Sequence, residues 1–580
     1  MYIVCTIAAL AGMWMGEGTV AAPQNAVRPA ELHTYATLHS IGIEWNVVGD
    51  ANHNARCHVQ YRRQGAQNWR RALDLFRIDY YGWYGDTKAE RPYNMLAGSI
   101  LFLEPGTAYE VQLELEDPDG GGQRRTALVS TRAEPVLPLG GRTLHVVPGA
   151  GGGDGSARRP FQGLKAAQAA ARPGDVLRLH AGQYGQFTFE KPGQPGRYLA
   201  YVAAGEGPPV FQQIVVAAGH LWLEGLVLRR GESPNGLRAS GSPPDVVLRR
   251  CRFEGYHYSI TLSRGCSEWY IADNTIIGDK ADPDKGDISG EGIELNHSSG
   301  HDVAYNRIER VADGISYPHH NCDLYGNDIR DVTDDGIEPD YGYANVRIWG
   351  NRIHRAFYHG VSFQPQYCGP WYIVRNEISA RASILKPNVA DRFVLVSNTL
   401  VAENRHAQRN ADLLLKSFSR NNLWILLPPT GEKGPGSPIW YAGSTGRGQK
   451  YAMEYQPVAD WRTDVDYDGF DWGTAPVAFR WEVVPGQRRD FADLAAFAQA
   501  VGIERHARRV RKEEIFEIQD LRAYLKEPYS PRRLTLRAGS PAIDAGQSLP
   551  NLCDDFQGTA PDLGAYEFGQ PLPHYGPRAP

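Results

Sequence analysis

A glycine recurs at a nearly fixed interval in the middle of this 580-residue chain. Gly292, Gly314, Gly336 and Gly360 are 22, 22 and 24 residues apart. Each follows an acidic residue or a histidine and precedes an isoleucine or a valine. A repeat of this length is typical of a solenoid, in which each turn buries its apolar face only by stacking on its neighbours. The sequence therefore predicts a stack of short parallel strands here.

An asparagine column has the same period. It comprises Asn306, Asn327, Asn351, Asn376 and Asn398, at intervals of 21, 24, 25 and 22 residues. Stacked amides at a turn can hydrogen-bond from one coil to the next, so we expect a structural role for this column. Asn274 precedes Asn306 by 32 residues, which predicts an extra loop, Gly278–Asp287, that faces the substrate. Its aspartates lack the EF-hand pattern, so we interpret it as a solvated loop rather than a calcium site.

Residues 28–134 alternate apolar and polar side chains with period two, which predicts half-buried antiparallel strands. The run LEPGTAYEVQLELED followed by STRAEP resembles the last strands of a fibronectin type III domain, with a tyrosine at the corner position. The resemblance implies a small β-sandwich ahead of the repeats.

Residues 143–430 begin with a strand, a glycine-rich loop and a short amphipathic helix, FQGLKAAQAAA. A helix in this position covers the open end of the first coil, where unpaired strand edges would otherwise be exposed. The segment resembles the N-terminal cap of the pectin-lyase-like superfamily, which implies a right-handed parallel β-helix. Residues 431–569 are interpreted as further coils, an excursion and a C-terminal cap.

Residues 1–22 contain an apolar run followed by small residues, which resembles a secretory signal peptide and predicts a secreted or periplasmic protein. No later stretch is long enough to span a bilayer. The net charge is only −5 with the charges interspersed, so we expect no nucleic-acid partner. The six cysteines after Cys5 are sparse and lack metal-ligand spacing, which favours buried thiols. We expect a monomer.

Strand alternation predicts which side chains point away from the solenoid core. The isoleucine or valine after each repeated glycine should point inward, so the flanking polar residues should share one outer face. The candidate catalytic residues on that face are Glu294, Asp313, Asp334, Asp335, Glu338, Asp340, His359 and Lys386. Crowded carboxylates raise one another's pKa, and a protonated carboxyl is what a general acid requires. The expected substrate contacts are His319, Tyr341, Arg355 and Tyr358.

The order of these groups resembles the polygalacturonases, which are β-helix pectin hydrolases. The matching motifs are ADG at Asp313, TDDG at Asp334 and Asp335, YHG at His359 and ILK at Lys386. The resemblance implies Asp335 as general acid, Asp313 and Asp334 as water-positioning groups, and His359 and Lys386 as assisting or carboxylate-binding groups. The chain departs from that family's pattern at Ala312, Tyr358 and Leu385.

Three functions remain open at this point. Carboxylate-catalysed hydrolysis of a uronate-containing polysaccharide is favoured by the surplus of acids, and it requires no cofactor. A polysaccharide lyase is the alternative, with Lys386 or His359 as the base and with calcium held by Glu294, Glu338 and Asp340. The third interpretation is a glycan-binding solenoid without catalysis.

Overall fold

The computed structural model describes residues 24–84, 89–363, 368–387, 392–403, 417–427, 439–441, 463–484, 487–527 and 532–579. The predicted signal peptide at residues 1–22 lies outside these residues, as does most of the excursion that was expected after residue 430.

Two four-stranded antiparallel sheets form the N-terminal region. The first contains, in spatial order, Arg28–Ala36, Ile41–Val48, Ala89–Ile100 and Phe76–Tyr84. The second contains Arg70–Arg71, Arg56–Arg63, Ala108–Glu116 and Gln123–Ser130. One apolar cluster joins them, as the alternating pattern predicts. The Tyr109 hydroxyl accepts a hydrogen bond of 3.0 Å from the backbone N–H of Glu104, which is the arrangement of a tyrosine corner.

Parallel pairing then builds a solenoid with three faces, which we call sheets 1, 2 and 3. The strands Gly182–Phe189 and Pro209–Val216 are long enough to serve both sheet 1 and sheet 2, which separate in the next coil. Sheet 1 continues through Asn235–Ala239, Tyr258–Thr261, Glu291–Glu294, Asp313–Ser316, Asp335–Glu338, His359–Phe363 and Ser383–Pro387. Sheet 2 continues through Val227–Arg229, Arg252–Tyr256, Thr275–Gly278, Arg307–Glu309, Asp328–Arg330, Arg352–Ala356, Glu377–Ala380, Thr399–Ala402, Leu423–Leu426, Gly469–Asp471 and Arg508–Arg509.

Sheet 3 runs the length of the solenoid. Its strands are Phe161–Gln162, Thr143–Val147, Val176–Leu179, Leu199–Ala203, Leu221–Glu224, Val246–Arg249, Tyr270–Ala272, Asp302–Ala304, Asp323–Tyr325, Val346–Trp349, Trp371–Val374, Phe393–Val396, Ser417–Arg420 and Asp464–Val465. The predicted fold class is confirmed: the chain is mainly β, with a parallel solenoid preceded by small antiparallel sheets.

The recurring glycines are explained by close packing between sheets 1 and 2. A Cβ atom placed on Gly336 would lie 2.4 Å from Cγ2 of Ile353, and one on Gly314 would lie 2.4 Å from the carbonyl oxygen of Gly336. Real Cβ atoms do not approach other heavy atoms so closely, so only glycine fits at this point of each coil. The period that predicts the fold is therefore a steric requirement of the narrow solenoid interior.

The asparagine column is confirmed as a continuous internal ladder. Each Nδ2 atom donates to Oδ1 of the next residue at 2.8–3.1 Å along Asn274, Asn306, Asn327, Asn351, Asn376, Asn398 and Asn422. The ladder ends at Asp468, whose Oδ1 accepts from Asn422 at 3.0 Å. All of these side chains are fully buried, so the ladder satisfies the amides that a dry interior would otherwise leave unpaired.

The predicted cap helix is present at Leu164–Ala170. Further helices lie at Leu494–Val501 and Leu521–Lys526, with one more turn of helix at Lys512–Ile515. Leu164 and Ala167 insert into the core of the first coil, which confirms the N-terminal cap helix. The six cysteines among the described residues are buried and unbridged, as expected. No helix in the described part of the chain is long and apolar enough to cross a membrane.

A small antiparallel hairpin, Phe479–Val484 and Gln487–Phe491, pairs with Trp440–Tyr441 beyond the last coils. Residues 532–579, the last range that the structure describes, contain no strand and pack along the solenoid. The Tyr566 hydroxyl donates to Glu377 at 2.8 Å, and the Gly564 N–H donates to the Asn421 carbonyl at 2.8 Å.

The first N-terminal sheet packs on the outside of sheet 3. Thr37 and Ser40 donate side-chain hydrogen bonds to Asp323, at 2.5 and 3.2 Å. Arg347 forms an ion pair of 2.6 Å with the same aspartate, and both side chains are fully buried. The N-terminal region therefore covers sheet 3 around Asp323 and Arg347.

Candidate active site on sheet 1

The polar residues of sheet 1 form two columns across successive coils. The first column pairs Glu291 with Asp313 and Asp335 with His359 in strand register. The second column contains Glu294, Ser316, Glu338, Ser362 and Lys386. Strands that pair in register hold equivalent residues about 4.8 Å apart, so acids on neighbouring coils are forced into contact. The repeat predicted this shared face, and the structure assembles it.

Three carboxylates meet toward the N-terminal end of the two columns. Oxygen atoms of Glu291, Asp313 and Glu338 lie within 4.8 Å of one another. Ser316 donates to Glu291 Oε2 at 2.5 Å, and the backbone N–H of Asp335 donates to Asp313 Oδ1 at 2.9 Å. Each of these bonds satisfies one carboxyl oxygen and also ties one coil to the next.

Asp335 lies at the centre of a second group, toward the C-terminal end of the columns. Its Oδ1 is 2.7 Å from His359 Nδ1 and accepts the His359 backbone N–H at 3.1 Å. Its Oδ2 accepts from Lys386 Nζ at 3.3 Å. The Asp335 side chain is fully buried, while those of His359 and Lys386 retain 15% and 28% of their exposure. Asp335 therefore orients two groups that substrate can reach, and its own carboxyl is hidden behind them.

The electrostatics separate these acids into two states. Burial, followed by repulsion from neighbouring carboxylates, raises the pKa of Glu291 and of Glu338 to about 8. Burial and the charge of Asp335 likewise raise the pKa of Asp334 to about 8. Burial would also raise the pKa of Asp335, but attraction to His359, the hydrogen bond from it and the charge of Lys386 outweigh burial and hold it at about 2. The same geometry thus yields protonated acids beside one carboxylate.

The pKa of Asp313 is raised well above its ordinary value, first by burial and then by Glu291 and Glu338. Burial also raises the pKa of Glu294, a half-buried residue of the second column. Glu294 lies on the strand next to that of Asp313. Burial opposes the charged form of Lys386, but the surrounding aspartates, with Asp335 first, raise its pKa. This lysine is therefore a cation at neutral pH.

The role that the polygalacturonase resemblance implies for Asp335 does not fit this geometry. A general acid must be protonated and must reach the glycosidic oxygen. Asp335 is ionised and has no exposed side-chain surface. Glu338 meets both requirements better, because it is half-buried and its pKa is raised to about 8.

The remaining predicted residues lie around this centre. Asp340 is beyond the end of its strand and is buried, with Ser362 Oγ 3.5 Å from its Oδ1. Tyr358 precedes His359 and stacks on it, with ring centroids 6.1 Å apart. Tyr341 and His319 lie on the turns that leave sheet 1, and the His319 Nδ1 atom is 3.2 Å from the Tyr341 carbonyl oxygen.

Arg355, an expected substrate contact, pairs with an acid of the extra loop. Its guanidinium pairs with Asp284 of the extra loop, and Arg381 pairs with the same carboxylate. The Thr333 hydroxyl donates to the Asp287 carbonyl of this loop at 2.6 Å, and the Asp287 N–H donates to the Thr333 carbonyl at 3.2 Å. The loop is thus held along the corner beside Asp334 and forms one wall of the site.

The acids of this site suit a hard cation as well as a proton. Glu291, Asp313 and Glu338 offer three closely spaced carboxylates, and oxygen ligands of this kind are those that calcium takes. A second group, Asp334, Asp335 and His359, also has ligand atoms within 4.8 Å. The imidazole makes that second group less suited to calcium. The first group is therefore the one whose residues fit calcium.

Glu291, Ser316 and Tyr317 belong to the site but were missing from the predicted residues. The glycine repeat contained the signal for Glu291, since it occupies the same position before glycine as Asp313 and Asp335. Strand alternation continued past Ser316 predicts that Tyr317 points into the core. The Tyr317 backbone is instead left-handed, with φ 56°, and the charge of Glu338 adds to burial in raising the pKa of the Tyr317 hydroxyl.

A parallel β-solenoid is compatible with proteins that act on polysaccharides. Comparison with known protein families and with curated proteins finds no match for this chain.

Proposed function

We propose that the protein is an exported, monomeric glycoside hydrolase that cleaves a uronate-containing polysaccharide at the outer face of sheet 1. The observation that carries the proposal is the half-buried Glu338 carboxyl, whose pKa is raised to about 8, on the same strand as Asp335, the ionised aspartate that contacts His359. Groups whose surroundings drive their pKa values apart are the usual basis for assigning an acid and a base.

Glu338 is the proton donor to the glycosidic oxygen in this proposal. The His359 ring that donates Nδ1–H to Asp335 carries its lone pair on Nε2, which can accept the proton of an attacking water. Asp335 is a positioning residue because it fixes the ring and its tautomer from behind. Lys386, a partly exposed cation, pairs with the carboxylate of a uronate unit.

A lyase acting by β-elimination is the second candidate, and one observation favours it. Calcium at Glu291, Asp313 and Glu338 would neutralise a substrate carboxylate, and His359 would then remove the adjacent proton. The raised pKa of Lys386 makes this lysine a poor base, so the lyase mechanism rests on His359.

The experiment is incubation of the full-length chain with a panel of acidic and neutral polysaccharides. New reducing ends and unsaturated-uronate absorbance are followed together, with and without a chelator. We expect reducing ends without the absorbance, unchanged by the chelator. Glu338→Gln should abolish turnover, while Glu309→Gln, which changes a carboxylate paired with Arg307 on sheet 2, should retain it.

The result that would overturn hydrolysis is unsaturated product that disappears when calcium is chelated. That outcome would establish the lyase. Turnover that survives Glu338→Gln would remove the general acid from the mechanism, and no activity on the whole panel would favour a glycan-binding solenoid.

A further inference from the structure

A row of aromatic rings begins at the acids of sheet 1 and runs toward the N-terminal region. We call it the aromatic shelf, and it consists of His297, Tyr317, His319, Tyr341 and Tyr343. All five lie on the turns that follow the strands Glu291–Glu294, Asp313–Ser316 and Asp335–Glu338, and all are half-buried. Each ring therefore presents part of its surface beside the site.

The rings of the shelf are in contact with one another. The His297 ring centroid is 5.2 Å from that of Tyr317 and 5.6 Å from that of Tyr341. The His319 ring is 6.2 Å from that of Tyr343. The Tyr317 backbone N–H donates to the Glu338 carbonyl at 2.8 Å, so the shelf starts next to the proposed proton donor.

Backbone hydrogen bonds between coils hold the shelf in place. The His297 N–H donates to the Tyr317 carbonyl at 2.9 Å, and the Tyr343 N–H donates to the His319 carbonyl at 2.6 Å. Burial lowers the pKa of His319 to about 4, so that ring is neutral at physiological pH. A preorganised surface of rings loses little conformational entropy when a ligand binds.

The N-terminal sheet supplies the far end of the row. Tyr93 has its ring centroid 5.3 Å from that of Tyr343, and Tyr35 has its ring centroid 4.5 Å from that of His320. Both tyrosines are half-buried. The docking of this sheet on sheet 3 therefore brings its own aromatic residues next to the shelf.

We propose that the aromatic shelf binds consecutive pyranose units of the polysaccharide between Glu338 and the N-terminal sheet, and that Tyr93 and Tyr35 end this row of subsites. Aromatic rings with polar tips suit a pyranose, because its ring face is apolar and its edge carries hydroxyl groups. The inference rests on the proposed function for the identity of the polymer. It adds a role for the N-terminal region, which would limit how many units bind on that side.

The test measures binding separately from turnover. Full-length Glu338→Gln is titrated by calorimetry with hexamers of galacturonate, mannuronate and glucose. Tyr343→Ala and His297→Ala are each added to this background, and so is Tyr93→Ala. The matched control is Tyr467→Ala, which removes a half-buried tyrosine at φ 64° that stacks on His506 away from sheet 1.

We expect each shelf variant and Tyr93→Ala to weaken hexamer binding about fivefold, with a smaller effect on trimers and with Tyr467→Ala within twofold of its parent. In the otherwise wild-type chain, the shelf variants should raise KM and leave kcat unchanged. Circular dichroism melts check that each variant is folded.

Shelf variants that bind the hexamers as tightly as their parent would overturn the inference while leaving hydrolysis intact. Failure of the Glu338→Gln parent to bind any hexamer would also overturn it. Hexamer binding that depends on the shelf, in a chain that turns over no polymer, would support the inference and reject the proposed hydrolysis.

Discussion

Sheets 1 and 3 carry acids on their outer faces in similar strand positions, but they treat those acids differently. On sheet 3, Asp302 pairs in register with Asp323, which pairs in register with Arg347. On sheet 1, Glu291 pairs with Asp313. Stacked coils bring carboxylates together on both sheets, so neighbouring acids repel one another on each face.

On sheet 3 a buried arginine and the N-terminal region pair Asp323, whereas burial, together with the charge of Asp323, raises the pKa of Asp302 to about 7. Arg347 and the hydroxyls of Thr37 and Ser40 surround Asp323. On sheet 1 the cations lie at one end, beside Asp335, and the other acids retain protons instead. The two faces therefore differ in their paired acid: Asp323 on sheet 3 binds the N-terminal region, whereas Asp335 on sheet 1 holds His359 and Lys386, which remain partly exposed.

The largest effect is expected from breaking the pair on sheet 3. Arg347→Met leaves Asp323 buried without its guanidinium, which should lower the free energy of unfolding by about 3–5 kcal/mol. Urea denaturation, followed through the first transition, measures this loss. Arg480→Met is the control, because its pair with Asp490 is exposed and should change stability by less than about 1 kcal/mol. Equal effects of both variants would contradict the pairing on sheet 3.

Asp335→Asn should have the next largest effect, and on activity rather than folding. An amide cannot hold His359 in the required tautomer, so kcat/KM should fall about a thousandfold. The rate is measured as reducing ends released. Asp331→Asn removes an acid of the same segment that pairs with Arg330, and it should keep most of the activity. A comparable loss in both variants would mean that the segment acts only through its fold.

Glu291→Gln sharpens the comparison through the pH dependence of stability. The pKa of Glu291 is about 8 in the folded chain and near 4.5 when unfolded, so the folded state keeps a proton that the unfolded state releases between these values. The free energy of unfolding should therefore fall as pH rises through this window, by about 1–3 kcal/mol. Urea midpoints from pH 5 to 9 should be flatter for Glu291→Gln than for the wild type.

Glu254→Gln is the control for that series. Glu254 has its pKa lowered by a hydrogen bond from Arg252, so it is ionised in both states across the same pH range. Its substitution should leave the slope unchanged. A wild-type chain whose stability does not fall above neutral pH would reject the protonated acids of sheet 1.

The smallest effect is expected at the wall of the site. Asp284→Asn weakens the contacts of the extra loop with Arg355 and Arg381, and it should raise KM two- to threefold, less so at high salt. Asp282→Asn changes a neighbouring acid whose carboxylate accepts the Asp284 N–H at 2.9 Å, and it should leave KM unchanged. Identical kinetics of both variants at low salt would show that the ion pairs do not position the wall.

The sequence predicted the solenoid because glycine and asparagine recur for steric and hydrogen-bonding reasons that each coil repeats. It also predicted the shared face, since register follows from the repeat. The docking on sheet 3 was not predictable, because Thr37 and Asp323 are 286 residues apart and no period connects them. The burial of Asp335 was missed for a similar reason: it depends on Lys386, 51 residues later, and on the packing of His359 over it.

The pH dependence of kcat/KM for polysaccharide hydrolysis tests the central claim most directly. Glu338, with its pKa near 8, must be protonated to act as the acid. The rate should therefore be level through neutral pH and fall about tenfold per pH unit above 8. A rate that instead rises through pH 8 to a plateau would mean that the group titrating there acts as a base, and it would contradict the account.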